Sequence, residues 1–284
     1  MLDTPKVSLH PTRRIDVAPG NGSDLNQVVR DFKRDHGISF VLAFSGGADD
    51  NSGIVNEMKR MIREDASLPE DVRSRVEKTT EAAKDAFVAS LVRDTLENLC
   101  DYRIAVLTGG TAWGVPRIAT QVARELGFPT IGVFPSTAAA KQKNMLPDGQ
   151  LSLAICVHPN FGESEWGDES PVYTALLDAV AVIGGGAGTM VETAHILKTN
   201  EKRKPVRDIL MGNQGDDSRE KLRSRPKVIL PMNGTGGTAE KLVFFPGKPE
   251  TMAYTIPPIP FPNGKAVADY LKGHVLFDED MRET

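Results

Sequence analysis

The sequence predicts a three-layer α/β fold, with a mainly parallel sheet and helices on both of its faces. Short apolar runs rich in Val and Ile alternate with segments of helical periodicity, which is the pattern of such a sheet. Several of the apolar runs lead directly into a glycine turn and a helix start. One helix returns to the next strand within a few residues, near Gly127, as a parallel crossover allows.

The predicted elements follow from these patterns. Strands are expected at residues 38–44, 103–108, 129–134, 151–157, 179–183 and 227–232. Helices are expected at residues 54–63, at 69–99 as one long helix or two, from about 114 to 126, at 171–178, after residue 188, and at 265–272.

We expect an N-terminal arm and short helix over residues 1–36, followed by a single domain over residues 37–284. The first 22 residues are rich in Pro, Gly and charge, which favours an extended arm. Ser23 then precedes a run with helical spacing of apolar residues. No clear linker divides the remainder, so one domain is favoured over two.

Three segments between the predicted elements are polar. The acidic loop at residues 159–170 contains Trp166, which is either part of a lid, an anchor, or a docked aromatic on an ordinary surface loop. Residues 199–225 are dense in charge and suit a solvated excursion. The tail has six prolines between Pro246 and Pro262, which excludes it from the sheet interior.

Composition and charge limit the classes of partner. At 284 residues, with 40% apolar and 25% charged residues, the chain is an ordinary globular protein able to bury a sizeable core. A net charge of −4 lacks the basic excess typical of nucleic-acid binding, so we expect no nucleic-acid partner. No stretch approaches about 18 consecutive apolar residues, so we expect no membrane partner.

The cysteines and histidines predict neither disulfides nor a metal site. Cys100 and Cys156 lie far apart in different predicted elements, which fits a reduced, cytoplasmic setting. The histidines lack the paired spacing of a zinc motif. They are His10, His36, His158, His195 and His274. The polar residues at 49–51 either hold a hydrated cation or, as is commoner after a strand, cap the next helix.

Four glycine-rich turns carry the functional prediction. They occupy residues 45–47, 109–111, 184–189 and 233–238, each directly after a predicted strand. Because the carboxyl ends of parallel strands meet at one edge, all four turns must lie along that edge, where ligands bind in this architecture. Backbone N–H groups and helix N-termini there suit a phosphate, although glycine also occurs in such turns for packing alone.

We therefore expect a small phosphorylated ligand of the nucleotide type at this edge. The predicted binding residues are Ser45, Gly46, Gly47, Gly109, Gly110, Gly185, Gly186, Gly188 and Thr189. Neither a Walker sequence nor the standard dinucleotide spacing is present, which disfavours a kinase or an ordinary NAD dehydrogenase.

Glu192 is the candidate catalytic residue. We expect it in the first turn of the helix that follows Gly188 and Thr189, beside the bound anion. A carboxylate there would stabilise a developing oxocarbenium ion or act as general base at an N-glycosidic centre. Alternatively it caps the helix, because acids are favoured near a helix N-terminus.

These motifs resemble those of a known family. Residues 184–192, GGGAGTMVE, resemble the P-G-G-x-G-T-x-x-E signature of the LONELY GUY (LOG) proteins and the wider SLOG superfamily. Residues 109–114 are similar to the family's G-G-G-x-x-G, and residues 44–47 to its first-strand turn. Order and spacing agree over about residues 38–235. The resemblance implies a Rossmann-like fold, a homodimer, and hydrolysis of the N-glycosidic bond of nucleoside 5′-monophosphates with no cofactor required.

By the same resemblance, individual roles fall on the third turn. Phosphate would be held by Gly185, Gly186, Gly188 and Thr189, and Glu192 would act in catalysis.

The sequence departs from the family pattern at a catalytic position. The family enzymes carry an active-site Arg about nine residues before the position of Asp178, where this chain has Glu169 and Ser170. Gly184 replaces the motif's Pro, and Val191 replaces its penultimate Glu. Arg117, at the start of the helix after the second turn, is the candidate replacement for the arginine.

Two hypotheses follow. The protein is either a nucleotide phosphoribohydrolase with a rearranged active site, or a non-catalytic nucleotide sensor or carrier of a phosphorylated cofactor, similar to the molybdenum-cofactor carriers of the superfamily.

Overall fold

A computed structural model describes residues 12–18, 22–47, 64, 67, 69–141, 145–147, 149–202, 226–245 and 247–276. Its centre is a seven-stranded sheet. The strands are β1 (Arg13–Val17), β2 (Phe40–Gly46), β3 (Ile104–Thr108), β4 (Thr130–Pro135), β5 (Leu153–Val157), β6 (Ala179–Ile183) and β7 (Val228–Pro231). Every neighbouring pair is parallel, in the order β1-β5-β4-β3-β2-β6-β7.

The described helices lie between and after these strands. They are α1 (Gly22–Asp35), α2 (Glu70–Glu97), α3 (Gly114–Glu125), α4 (Ser136–Ala140), α5 (Ser170–Leu176), α6 (Ala187–Lys202), α7 (Gly237–Lys241), α8 (Pro249–Thr255) and α9 (Gly264–His274). A 3-10 turn, Leu242–Phe244, follows α7.

Helices cover the sheet on both faces. One core cluster packs α2, α3 and α9 against the side of the sheet that carries Leu42 and Phe44. The other packs α1, α5 and α6 against the side that carries Val41 and Ala43. Strands buried on both faces must be apolar at nearly every position, which explains the continuous Val and Ile runs. The predicted three-layer α/β class is therefore confirmed.

The strand order reverses between β2 and β6. From β2 the chain adds β3, β4 and β5 on one side, and then returns to place β6 and β7 on the other side. At such a reversal the loops after the two neighbouring strands diverge and leave a crevice at the carboxyl edge. The first and third glycine turns follow β2 and β6, so they flank this crevice.

Strand β1 is the main addition to the predicted elements. The sequence predicted an extended arm here, but Arg13–Val17 pair in parallel register with β5. Only Val17 of the strand is buried. An edge strand with charged residues at three of five positions carries no continuous apolar signal, so the sequence pattern did not reveal it.

Most predicted helices are present, with short ones added. The long segment forms the single helix α2, while α4 lies in a predicted polar loop, α7 begins in the fourth glycine turn and α8 lies in the tail. Helices of five to seven residues are too short to show helical periodicity in sequence. The helix predicted at 54–63, the polar residues 49–51 and most of the excursion at 199–225 fall outside the described residues.

The proline-rich tail ends against α2. A Cβ atom on Gly264, the first residue of α9, would lie 2.2 Å from the carbonyl oxygen of Leu91, so only glycine permits this approach of the two helices. Asp94 accepts the N–H of Lys265 at 2.6 Å and so helps to cap α9. None of the helices within the described ranges is both long enough and apolar enough to cross a membrane.

Candidate functional site

The third glycine turn leads from β6 into α6. Gly184 and Gly185 have φ angles of 60° and 97°, a region that favours glycine, and α6 begins at Ala187. The first N–H groups of a helix have no acceptor within it and point out of its N-terminus. A Cβ on Gly188 would meet no atom within 4 Å, so the backbone there is open to close approach from outside.

The fourth turn packs directly against the third. The N–H of Gly184 donates to the Thr235 hydroxyl oxygen at 2.8 Å, and the N–H of Thr238 donates to the carbonyl oxygen of Gly185 at 2.9 Å. The Thr238 hydroxyl donates to the carbonyl of Gly186, also at 2.9 Å. These threonines therefore fix the shape of the third turn from behind, rather than facing a ligand as free hydroxyls.

The first turn closes the other side of the crevice. A Cβ on Gly46 would lie 2.3 Å from the carbonyl oxygen of Ile183 and 2.6 Å from a methyl carbon of Val115. The N–H of Val115 donates to the carbonyl of Gly47 at 3.1 Å, which links this turn to the start of α3. Gly46 is thus required by packing between β2, β6 and α3.

The second turn lies farther along the edge. The N–H of Gly110 donates to the Thr108 hydroxyl oxygen at 3.2 Å. The carbonyl oxygen of Gly110 accepts the N–H of Leu146, also at 3.2 Å. A Cβ on Gly110 would lie 2.8 Å from the ring of Phe134 on β4. Gly110 therefore packs against β4, whereas a Cβ on Gly109 would have only Pro116 of α3 nearby, at 3.9 Å.

Glu192 and Ser45 meet at the crevice. The hydroxyl of Ser45, near the end of β2, donates a hydrogen bond to Oε2 of Glu192. Because α6 begins at Ala187, inside the glycine run, Glu192 lies in the second turn of the helix and not in the first as the sequence predicted. Glu192 therefore lies one turn after the N-terminus of α6, and it does not cap that helix.

The carboxyl of Glu192 is partly buried beside Ser45, Tyr173 and Glu169. Burial raises its pKa from 4.5 to about 7; the hydrogen bond from Ser45 opposes this rise, and the charge of Glu169 adds to it. A group with such a pKa exchanges its proton near neutral pH, which suits general acid or base chemistry.

Two neighbours of Glu192 complete the cluster. Tyr173 on α5 is 1% exposed, and its hydroxyl lies close to that of Ser45 but makes no hydrogen bond of good geometry with the described residues. Burial raises the pKa of Tyr173 well above its usual value; the charge of Glu192 adds to this rise, and the hydroxyl of Ser45 opposes it. Glu169 is buried just before α5, where its carboxylate accepts the N–H of Gly167 at 2.8 Å, and burial raises its pKa as well.

Sequence reasoning named Glu169 only as the acid in place of the family arginine, and it did not name Tyr173. The signal that identifies both residues is spatial, because α5 packs beside α6 and brings them to the acid.

Arg117 does not replace that arginine at Glu192. Its guanidinium pairs with Asp85 at 2.5 Å and donates to Gln121 at 3.1 Å. Both contacts lie on the face of the sheet covered by α2 and α3, whereas Glu192 rises from α6 on the opposite face.

Several large apolar side chains near the edge face solvent. Trp113, which precedes α3 at the end of the second turn, is 40% exposed, and Val191 beside Glu192 is also exposed. In the acidic loop at residues 159–170, Trp166 is 57% exposed, and Phe161 is still more open. The indole of Trp166 is therefore not an anchor buried in the protein, which leaves the lid and surface-loop interpretations.

The fold and the site define a class of protein: Rossmann-like α/β proteins in which glycine turns surround an acid at the point of strand reversal. Within that class, the sequence model of the SLOG cluster4 family matches residues 79–230, more than half of the 284 residues. The chain therefore belongs to the SLOG cluster4 family. The predicted resemblance to the SLOG superfamily is confirmed.

Solved structures with a similar arrangement have low sequence identity. TM1055, a structural-genomics target, has 15% identity over 82% of this chain and 99% of its own, with a TM-score of 0.46. The molybdenum cofactor carrier protein from Chlamydomonas reinhardtii has 16% identity over 82% of this chain and 96% of its own, with a TM-score of 0.44. DNA processing protein A from Streptococcus pneumoniae has 12% identity over 82% of this chain and 62% of its own, with a TM-score of 0.39.

Likeness at this level carries no argument about ligand or reaction. A search of curated proteins finds no match to the chain.

Proposed function

We propose that the protein binds a nucleotide or another small phosphorylated ligand in the crevice between β2 and β6, and that it hydrolyses the N-glycosidic bond of a nucleoside 5′-monophosphate there. The observation that carries the proposal is the position of Glu192. Its carboxyl has a pKa of about 7 and accepts a hydrogen bond from the hydroxyl of Ser45. It lies one helical turn from Gly188, where the backbone is open to close approach. An acid of this kind next to an anion site matches the needs of that reaction.

The phosphate would lie at the N-terminus of α6. The N–H groups of residues 187–189 and the positive end of the helix dipole favour an anion, and the open space at Gly188 permits close approach. Thr235 and Thr238 hold the turn in shape, so the cradle needs little rearrangement to receive a ligand.

The chemistry then falls to Glu192. Water attacks C1′ of the ribose, the bond between C1′ and the base nitrogen breaks, and the base leaves with a proton, giving ribose 5-phosphate and free base. An ionised Glu192 would accept a proton from the attacking water or stabilise the positive charge that develops on the ribose. The buried hydroxyl of Tyr173 lies close to Ser45, whose own proton goes to Glu192, so it offers a further hydrogen bond to a water or ligand atom.

A direct assay tests this proposal. The protein is incubated with AMP, GMP, CMP and UMP, and free base is measured by chromatography. We expect release from at least one monophosphate, and loss of that release in Glu192→Gln with binding retained. Glu163→Gln, an exposed acid in the loop before α5, is the matched control and should keep wild-type activity.

A second candidate function is a non-catalytic sensor or carrier of a phosphorylated cofactor. It is favoured by one observation: a buried acid, Glu169, stands where the family enzymes carry an arginine, and Arg117 pairs with Asp85 instead of supplying the charge. Calorimetry with nucleotides and pterin phosphates separates the two. Binding without release of base supports the carrier, and no binding to any of these compounds contradicts both functions.

We further propose a homodimer in a reducing, cytoplasmic setting, with a small ligand and not a nucleic acid as partner. Both cysteines are free thiols, and the net charge of −4 disfavours binding to a phosphate backbone. Light scattering on the purified protein would give its mass. Titration with labelled single-stranded and duplex DNA would contradict the partner proposal if it revealed tight binding.

A further inference from the structure

Three side chains of metal-binding type meet on strands β1 and β5, away from the glycine crevice. They are Asp16, Cys156 and His158, and a carboxylate oxygen, the thiol sulfur and a ring nitrogen all lie within 4.8 Å of one another. Strand β5 is three strands from β2, which at about 4.8 Å per strand places the group roughly 14 Å from the first glycine turn. The group is thus separate from the site of Glu192.

The sheet itself brings these residues together. Asp16 and Cys156 are directly paired across the parallel β1–β5 ladder, so their side chains project from the same face. His158 comes two residues after Cys156, and its N–H donates to the carbonyl of Val17 at 2.8 Å, which extends the ladder beyond β5. Because side chains of a strand alternate between the two faces of the sheet, the imidazole of His158 projects from the same face as the thiol of Cys156. A site built on paired strands is held more precisely than one built on loops.

The donor set selects a class of ion. Thiolate sulfur, imidazole nitrogen and carboxylate oxygen are the three ligand types that zinc uses in proteins, whereas magnesium and calcium take oxygen ligands. Three protein ligands leave at least one position of a tetrahedral ion unfilled, as in catalytic zinc sites. We propose that Asp16, Cys156 and His158 bind one zinc-class divalent ion and leave a coordination position for water or a small ligand.

Access to the group fits this proposal. Cys156 is 1% exposed and forms the floor, while the side chains of Asp16 and His158 are 54% and 43% exposed. An ion can therefore reach the sulfur from solvent past two partly exposed side chains. Cysteine binds a metal ion as the thiolate, so an incoming ion displaces a proton from the sulfur.

Without an ion, the same groups pair with each other. His158 Nε2 lies 3.4 Å from Asp16 Oδ1, and Arg14 lies 3.5 Å from the same oxygen. Arg14 disfavours a cation while it stays there, but its guanidinium is on the surface and is able to turn toward solvent. A metal site should bind an added divalent ion at one ion per chain, whereas a purely polar cluster should bind none, so a metal titration distinguishes the two.

A separate cavity lies on the same face of the sheet. Arg14 and Ala154, one pleat repeat before Asp16 and Cys156, line this cavity of about 580 Å³ together with Phe134, and none of the three proposed ligands lines it. That volume is within the range of small-molecule sites.

Cobalt(II) is the probe of choice, because its bond to a thiolate gives a charge-transfer absorption that zinc lacks. The full chain, stripped of metal and kept reduced, is titrated with cobalt(II), and zinc is then added to displace it. We expect a sulfur-to-cobalt band that saturates at one ion per chain and disappears with zinc. No such band with the wild-type protein would overturn the proposal.

Substitutions locate the site. Cys156→Ser should abolish the band, and His158→Ala should weaken binding by at least about tenfold. Cys100→Ser removes the other, exposed thiol and should leave the titration unchanged. Since Cys156 is buried and its replacement could impair folding, the exposed Asp16→Asn and His158→Ala variants are read alongside it. A band that survives all three ligand substitutions, or one that is lost with Cys100→Ser, would contradict the assignment.

Discussion

The hydroxyl of Ser45 donates a hydrogen bond to the carboxyl of Glu192 across the point where the strand order reverses. One residue lies at the end of β2 and the other in α6, so the contact joins the first and third glycine turns. Tyr173 on α5 and Glu169 just before it lie near the same carboxyl. The hydroxyl of Ser45 and the charge of Glu169 both influence the pKa of Glu192, and each influence can be removed by one substitution.

Replacing Glu192 by Gln should stabilise the protein at alkaline pH. The pKa of Glu192 is about 7 in the folded protein against 4.5 for the free group, so between these values the folded state holds a proton that the unfolded chain has released. The stability present below pH 4.5 is therefore lost as pH rises through 7, by an amount on the order of 3 kcal/mol. Glu192→Gln stays neutral, so urea unfolding should find it more stable than wild type at pH 8 and little different at pH 4.5.

The control for this measurement is Glu163→Gln, which removes an exposed acid from the nearby loop and should follow the wild-type profile. Equal stability of Glu192→Gln and wild type at pH 8 would mean that the carboxyl is hydrated in solution, contrary to the structure.

Replacing Ser45 by Ala should shift the same profile to higher pH. The hydroxyl of Ser45 favours the charged form of Glu192, so its loss raises the pKa of Glu192 beyond 7. A hydrogen bond to a charged group contributes about 1.5–3 kcal/mol, and one to a neutral group about 0.5–1.5 kcal/mol. The cost of Ser45→Ala should therefore be larger at pH 8 than at pH 5, as measured by urea unfolding at both values.

Ser39→Ala provides the comparison, because Ser39 donates to a neutral carbonyl, that of Arg103, at 3.3 Å. Its cost should not change with pH. A cost of Ser45→Ala that is equal at both pH values would argue against the contact with an ionised Glu192.

Replacing Glu169 by Gln should lower the pKa of Glu192. The negative charge of Glu169 raises that pKa, whereas Gln keeps an oxygen that accepts the N–H of Gly167. A double-mutant cycle of Glu169→Gln with Glu192→Gln, followed by urea unfolding, measures the repulsion between the two acids. We expect a coupling of about 0.5–3 kcal/mol at pH 8 and close to additive effects at pH 4.5. Additive effects at both pH values would place the two carboxylates out of range of each other.

The sequence predicted those strands that are buried on both faces of the sheet, because such burial requires apolar residues at nearly every position. Strands β2 to β7 are runs of apolar residues, and each was predicted within a few residues of its observed bounds. Strand β1 has one solvated edge and reads as Arg-Arg-Ile-Asp-Val, so its pairing with β5 is visible only in the assembled sheet.

The candidate site was predictable in its parts and not in its contacts. Ser45, Gly188 and Glu192 were all named from glycine turns and family resemblance, but their meeting depends on β6 lying beside β2, which is a matter of strand order. The start of α6 was placed too late, because glycine disfavours a helix and hid its first turn. Tyr173 lies in a short helix where an aromatic residue signals only burial.

Replacing Gly237 by Ala should disrupt the site through packing alone. A Cβ there would lie 2.4 Å from the carbonyl oxygen of Gly185, and the φ angle of 59° adds strain. Gly234→Ala is a matched control, since Gly234 has a φ of 79° but no atom within 4 Å of the added Cβ. Strain alone costs about 1–3 kcal/mol, so Gly237→Ala should lose more stability than Gly234→Ala in urea unfolding. It should also lose ligand binding, because the fourth turn can no longer support the third. Equal losses from the two substitutions would show that the third and fourth turns do not pack as closely in solution as the structure places them.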